Sequence, residues 1–192
     1  RYACNTTADH FDMYGFDYKI NDRLTAQYHY AELEDIYRQH FVGLLGNQPL
    51  GGGVLKADLR VLKSADSGDA KAGSIDNRAL SGMLSYAHSG HTFSAGWQRM
   101  NGDNSMPYLD GSNPYLVNYV QVNDFAAAQE RSWQLRYDYD FKAIGINGLS
   151  FLTRYVNGDH IKVLGSDQEG KEWERDSELK YVIQTGTFKD VS

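Results

Sequence analysis

Basic residues recur at polar positions of segments in which polar and apolar residues alternate. An arginine guanidinium is always charged, and its planar fork can hold a carboxylate through two parallel hydrogen bonds. If these positions line a water-filled path, each cation can hold an anion weakly and release it to the next. The pattern therefore indicates a possible route for carboxylates. The positions are Lys19, Arg23, Arg38, Lys56, Arg60, Arg136, Arg154 and Lys180.

The same cations have a plainer explanation. Charged residues on the polar face of a strand are often only solvated, or they pair with an acidic neighbour. For any single arginine, the residue types leave the binding role and the structural role open. The acidic residues available for pairing are Asp17, Asp58, Asp138, Asp176 and Glu178.

Other chemistries find little support in the residues. The six histidines show no metal-binding spacing such as HExxH, and the three glycines at 51–53 are not followed by the Lys-Ser/Thr of a phosphate loop. The single cysteine, Cys4, excludes an intrachain disulfide and a cysteine-based metal site, and we expect it to be an unpaired thiol. The formal net charge of -6 and the lack of a basic stripe argue against nucleic acid. We predict no enzyme activity, no metal and no cofactor.

The stretch from Gln129 to Asp159 shows which elements would position these cations. Polar residues take the even positions between 132 and 139, so Arg136 lies opposite the apolar residues. After a turn at 142–147 a second segment alternates again, with Arg154 on its polar side. Because side chains alternate across a strand, each segment has one apolar and one polar face. The apolar positions are Trp133, Leu135, Tyr137, Tyr139, Leu149, Phe151 and Tyr155.

Similar alternation along the chain predicts about nine strands and an all-β, antiparallel fold. No run approaches 18 apolar residues, so no membrane-spanning helix is predicted. Short turns alternate with longer loops at 64–77, 102–128 and 157–172, a layout typical of outer-membrane barrels. The predicted strands cover residues 9–20, 23–33, 36–46, 54–62, 80–88, 91–100, 129–141, 149–159 and 173–183.

Several long strings resemble the OprD (Occ) family of substrate-specific outer-membrane porins. They are AELEDIYRQHF (31–41), DAKAGSIDN (69–77), SGHTFSAGWQRMNGD (89–103), ERSWQLRYDYDF (130–141) and GLSFLTRYVNGD (148–159). Members of the family are 18-stranded transmembrane β-barrels that take up small carboxylate-bearing nutrients passively. The resemblance implies that residues 1–192 form one partial barrel domain, the second half of such a protein. It also implies the outer membrane of a Gram-negative bacterium, with small carboxylates and outer-membrane lipid as partners, and a monomer or weak trimer.

The family resemblance also implies roles for individual residues. An arginine ladder along the barrel wall would include Arg136, Arg154 and Arg60, and with them Arg38 and Arg99. Arg99 shares a face with Trp97, so it reaches the lumen only if a bulge shifts the strand. In the 102–128 loop, two further residues resemble the inward-folding element that forms an acidic pocket in the family, although an exposed lid is an equal alternative. These are Tyr108 and Asp110.

Two other functions compete with a channel. A soluble β-sandwich or lipocalin-like binding module would bury the aromatic faces and expose the charged ones. A barrel enzyme would need a nucleophile beside a base in the lumen, and the sequence offers none. Periodicity is the same in a channel and in a binding module, so only the family strings favour the channel. We therefore predict a substrate-selective channel for passive uptake of aromatic acids or amino acids.

Overall fold

The computed structural model describes residues 7–109 and 112–185. Cys4 and Asp110 therefore lie outside the described residues. The described residues form one antiparallel sheet of nine strands in which each strand pairs with its neighbours in the chain, from β1 at one edge to β9 at the other. No helix in this part of the chain is long and apolar enough to cross a membrane.

The predicted number of strands is confirmed, although several strands are longer than the alternation indicates. β3 continues to Leu50, and β9 begins at Glu169, so the loop predicted at 157–172 shrinks to 163–168. At these strand ends the residues are mostly polar and the alternation stops, but the backbone N–H and C=O groups still pair with the neighbouring strand. The strands therefore extend beyond the alternating residues. The strands are β1 (Phe11–Asn21), β2 (Leu24–Leu33), β3 (Tyr37–Leu50), β4 (Gly53–Asp66), β5 (Asp76–His88), β6 (His91–Gly102), β7 (Arg131–Asp140), β8 (Leu149–Lys162) and β9 (Glu169–Tyr181).

The connections divide into two rims. The short-turn rim includes the hairpin at Ser89 and Gly90, whose φ values of 50° and 84° suit the tight turns that match strand twist. It also includes a short 3-10 helix, Phe141–Ile144, which begins one residue before the turn predicted at 142–147. The long-loop rim carries the connections 34–36, 67–75, 103–130 and 163–168.

The two faces of the sheet differ sharply in exposure. On the outer face, Phe93 is 60 % exposed and Leu135 is 56 % exposed. On the inner face, Gln98 and Gln134 are each only 2 % exposed, because residues of the described stretches 103–109 and 112–130 lie over them. We call these two stretches the inner segment. A soluble sandwich would bury the aromatic face, so the structure shows the opposite of what that alternative predicts.

Apolar packing holds the inner segment against the half of the inner face nearest the long-loop rim. Removing each large apolar side chain from water stabilises this contact by roughly 1.5–3 kcal/mol. One cluster joins Phe41, Leu62, Ala79 and Met100 of the sheet to Met106, Leu116 and Ala126 of the segment. A second joins Val156 of β8 to Val120 and Phe125 of the segment.

Candidate functional site

Buried amides of β6 and β7 hold the backbone of the inner segment. The Gln98 side chain donates from Nε2 to the Phe125 carbonyl at 2.6 Å and accepts from the Asn118 N–H at 3.2 Å. Asn118 in turn donates from Nδ2 to Ser132 Oγ at 2.8 Å. Gln98 and Ser132 face inward because they occupy the polar positions of alternating strands. These contacts satisfy polar groups that would otherwise be costly to bury.

A carboxylate of β9 fastens the middle of the inner segment. Glu174 accepts hydrogen bonds from three successive backbone N–H groups, those of Gln121 at 3.1 Å, Val122 at 3.0 Å and Asn123 at 2.6 Å. The Glu174 side chain is buried, so these charge-assisted bonds replace its hydration. Our sequence prediction missed Glu174, although its even position on β9 signalled that it faces inward.

A second acidic side chain, that of Glu130, contacts the backbone at the C-terminal end of the inner segment. Glu130 accepts from the Ala127 N–H at 2.9 Å and lies over Gly158, where a Cβ atom would collide with the carboxylate. Burial, strengthened by the nearby charge of Glu172, raises the pKa of Glu130 to about 9. Glu130 is therefore a neutral acid at pH 7 in the folded protein.

Arg60 lies on the inner face of β4 and joins the wall to the inner segment. Its Nε and Nη2 donate to the two carboxylate oxygens of Asp58 at 2.9 and 2.6 Å. Its Nη1 donates to the Tyr115 carbonyl at 3.0 Å. Arg60 thus has both an acidic partner and a structural contact.

Arg136 and Arg154 lie directly opposite each other on β7 and β8. Two like charges in this relation repel, and each has an aspartate beside it. Arg136 donates from Nε and Nη2 to Asp138 at 2.8 and 2.7 Å, and Arg154 donates from Nε to Asp176 at 2.6 Å. Both guanidiniums remain partly exposed, and within the described residues Nη1 of each forms no hydrogen bond. The pairing role is therefore observed, and donors remain for an anion.

Arg38 and Arg99 lie on the outer face, which corrects their expected place in the ladder. β6 pairs with β5 and β7 without a bulge, so Arg99 stays beside Trp97. On β3 the inward positions belong to Tyr37 and Phe41, which leaves Arg38 outside. The weak alternation of residues 36–46 concealed this parity. The structure brings together Arg136 and Arg154, and it places Arg60 on the same inner face.

The expected acidic pocket in the inner segment rests on Tyr108 alone, because Asp110 is outside the described residues. The Tyr108 hydroxyl donates to the Asp124 carboxylate, and its ring meets Tyr119 edge-on with centroids 6.1 Å apart. Phe125 of the same loop is fully buried, so the loop is not exposed along its whole length. Within residues 7–109 and 112–185, no cluster of His, Cys, Asp or Glu could hold a metal ion.

Comparisons with known proteins agree in sequence and in structure. A family model described as "outer membrane porin, OprD family" matches residues 1–192. Porin D of Pseudomonas aeruginosa is 36% identical over 97% of this chain and 47% of its own length. Porin-like protein GalP of Pseudomonas putida is 39% identical over 97% of this chain and 44% of its own. These relatives are named as a porin and as a porin-like protein.

Solved structures match the same sheet. The crystal structure of Pseudomonas aeruginosa OccK10 (OpdN) superposes with a TM-score of 0.94 at 62% identity, covering 99% of this chain and 53% of that one. The crystal structure of Pseudomonas aeruginosa OccK5 (OpdH) gives a TM-score of 0.93 at 62% identity, covering 96% and 51%. The chain thus spans about half the length of the relatives it matches.

Proposed function

This chain belongs to the OprD family of outer-membrane porins, and from this premise we propose that the full-length protein is a selective channel for small carboxylates. The channel would admit aromatic acids or amino acids by diffusion, without an energy source. Residues 1–192 would supply part of one barrel domain, whose remaining wall comes from strands outside this chain. The functional unit would be a monomer or a weak trimer.

The observation that carries the proposal is the contrast between the two faces. Most exposed positions of the outer face away from the rims are aromatic or aliphatic, as on a lipid-facing wall, and the inner face carries the ion-paired Arg136 and Arg154. The inner segment lies on the same inner face, where it would narrow the lumen near the long-loop rim. Tyr108 belongs to this narrowing in the proposal, and Asp110, which is outside the described residues, is kept as a candidate for substrate binding.

Arg136 and Arg154 are the proposed carboxylate site. A substrate carboxylate can accept hydrogen bonds from both guanidiniums, because the two arginines lie opposite each other on neighbouring strands. Asp138 and Asp176 keep the empty site close to neutral and compete with the substrate, so binding stays weak enough for release. The same aspartates would attract the ammonium group of an amino acid. Arg60, beside the inner segment, would be a further cation along the path of the carboxylate.

Single-channel recording of the full-length protein tests this function. The protein is placed in a planar bilayer of zwitterionic lipid, and benzoate or arginine is added at increasing concentration. We expect both to occupy the pore, and Arg136→Gln or Arg154→Gln to raise the half-occupying concentration about tenfold, since a charged hydrogen bond contributes about 1.5–3 kcal/mol.

Arg99→Gln is the matched control because it removes the same charge from the outer face of the same sheet. It should leave occupancy unchanged. An equal effect of Arg99→Gln and Arg136→Gln would reject the proposed site, and a protein that forms no pore would reject the channel itself.

A further inference from the structure

Four cations form a strip on the outer face next to the long-loop rim. Lys63 of β4 lies directly opposite Arg78 of β5, and Arg99 of β6 lies directly opposite Arg131 of β7. Arg78 lies opposite Asn101 of β6, so Arg99, two residues away on β6, is the diagonal neighbour of Arg78. The two pairs of cations are therefore adjacent on the sheet. All four side chains are exposed. We call these four residues the rim strip.

Among the described residues, no acidic side chain is ion-paired with any of these four cations. Like charges directly opposite each other on a sheet are destabilising. Of the neighbours facing the strip, Asp159 lies opposite Arg131 but contacts His160, and Asp76 lies two residues before Arg78. His40 lies opposite Lys63 and adds no negative charge.

The position of the rim strip relative to the aromatic side chains indicates its depth in a membrane. Trp97 and Trp133 lie opposite each other. Trp97 comes two residues before Arg99 on β6, and Trp133 comes two residues after Arg131 on β7, so each tryptophan is about 7 Å along its strand from the arginine. The row continues through Tyr155, 5.5 Å from Trp133 between ring centroids, to Trp173 at 6.1 Å. Aromatic rows of this kind mark the boundary between acyl chains and headgroups in barrels. The strip therefore lies at headgroup level.

We propose that the rim strip binds the phosphate groups of a phosphorylated glycolipid in the outer leaflet of the membrane. Charge complementarity selects this ligand, because two pairs of unpaired cations at headgroup depth suit an anionic headgroup with more than one phosphate. Arginine holds phosphate through two hydrogen bonds, and lysine adds a point charge. Long loops are extracellular in outer-membrane barrels, which places the strip in the outer leaflet. The site is separate from the carboxylate route and does not depend on it.

Native mass spectrometry of the full-length protein in detergent tests the proposal. The probe is bisphosphorylated lipid A, and dephosphorylated lipid A is the parallel probe. We expect wild type to retain the phosphorylated lipid preferentially. The two double variants, Lys63→Gln with Arg78→Gln and Arg99→Gln with Arg131→Gln, should each weaken retention about tenfold, since each cation near an anionic headgroup contributes to binding.

Matched variants make the result specific. Lys19→Gln with Lys142→Gln removes two charges near the short-turn rim and should leave retention unchanged. Arg99→Lys with Arg131→Lys keeps the charge and should retain most binding, and circular dichroism confirms that every variant is folded. Full retention in both glutamine doubles, or equal retention of dephosphorylated lipid A, would overturn the proposal. Displacement of the lipid by an equal concentration of inorganic phosphate would also overturn it, because the strip would then be a general phosphate site.

Discussion

The inner and outer faces of the sheet differ in whether their charged side chains have partners. On the inner face, Arg60, Arg136 and Arg154 each contact an aspartate, and Glu174 binds three backbone N–H groups. On the outer face, the four cations of the rim strip face each other without an ion pair among the described residues.

The difference follows from what surrounds each face. On the inner face, Arg60, Arg136 and Arg154 are each paired with an aspartate of the sheet, so an incoming anion must compete with that partner. The rim strip is exposed, so its partner can come from outside. Inner cations thus already have a partner within the protein, whereas the cations of the rim strip form no ion pair among the described residues. The predictions below test this contrast in the full-length protein, from the largest expected effect to the smallest.

Removing the best-connected inner charge should have the largest effect. Glu174→Ala leaves the N–H groups of Gln121, Val122 and Asn123 without their acceptor, which should lower the local opening free energy of the inner segment by about 3 kcal/mol. Hydrogen exchange of residues 118–127 measures this change. Glu178→Ala, on the same face of the same strand but exposed, is the control and should change little. Equal protection in both variants would contradict the role of Glu174.

The buried acid Glu130 should make the inner segment sensitive to pH. Its pKa is raised to about 9 in the folded state, so between about pH 4.5 and 9 the folded state holds a proton that the unfolded state has lost. Stability is therefore full below this window and falls as pH rises through it. We expect the opening free energy near Glu130 to drop by about 2 kcal/mol from pH 6 to pH 8. Glu130→Gln should abolish the drop, and an unchanged slope in that variant would assign it to another group.

Breaking an inner ion pair should cost less, because the pair is partly exposed. Asp176→Asn removes the partner of Arg154 and leaves it facing Arg136, which should lower the free energy of unfolding by about 1.5 kcal/mol. Urea-induced unfolding in detergent measures this loss. Reversal potentials should also shift toward anion selectivity, since one negative charge leaves the lumen. Adding Arg154→Gln should restore much of the stability, and purely additive losses would show that the two residues do not interact.

Neutralising outer cations should have the smallest effect and the opposite sign. In neutral detergent without lipid, Arg99→Gln with Arg131→Gln should raise the free energy of unfolding by about 0.3 kcal/mol, because it removes a repulsion between directly opposed charges. Added salt should stabilise wild type more than the variant, through screening of the same repulsion. A clear loss of stability would show that these arginines have partners within the protein.

Local patterns were enough to predict the strands and their two faces. The number of strands and the distinction between rims follow from residues adjacent in sequence, because alternation is a property of neighbours. Asp58 and Asp138 could be paired with Arg60 and Arg136 for the same reason, since each pair is two residues apart on one strand. Arg38 was misplaced because the strand around it alternates poorly.

The contacts of the inner segment could not be predicted in this way. Residues 103–130 have no period, and their partners are distant in the sequence, as Glu174 is from Asn123. The register between β8 and β9 places Asp176 opposite Arg154. That register depends on the length of the connecting loop and on the pairing of the two strands along their whole length. Except at Arg38 and Arg99, the sequence therefore predicted which residues face the inner side of the sheet, and it missed what they hold there.

The way in which the inner segment is attached has a consequence for how such a channel can change over evolution. Side chains of the sheet hydrogen-bond to main-chain atoms of the inner segment. These atoms are the carbonyls of Pro107, Tyr115 and Phe125 and the N–H groups of Asn118 and Val122. Every residue type offers the carbonyl and every type except proline offers the N–H, so a position whose side chain makes no contact of its own can exchange that side chain and keep its main-chain hydrogen bond. Val122, whose side chain is 78 % exposed, is one such position. In the proposed channel, the contacts that hold the inner segment would thus be separable from the side chains that meet a solute, so those side chains could change while the scaffold stays constant.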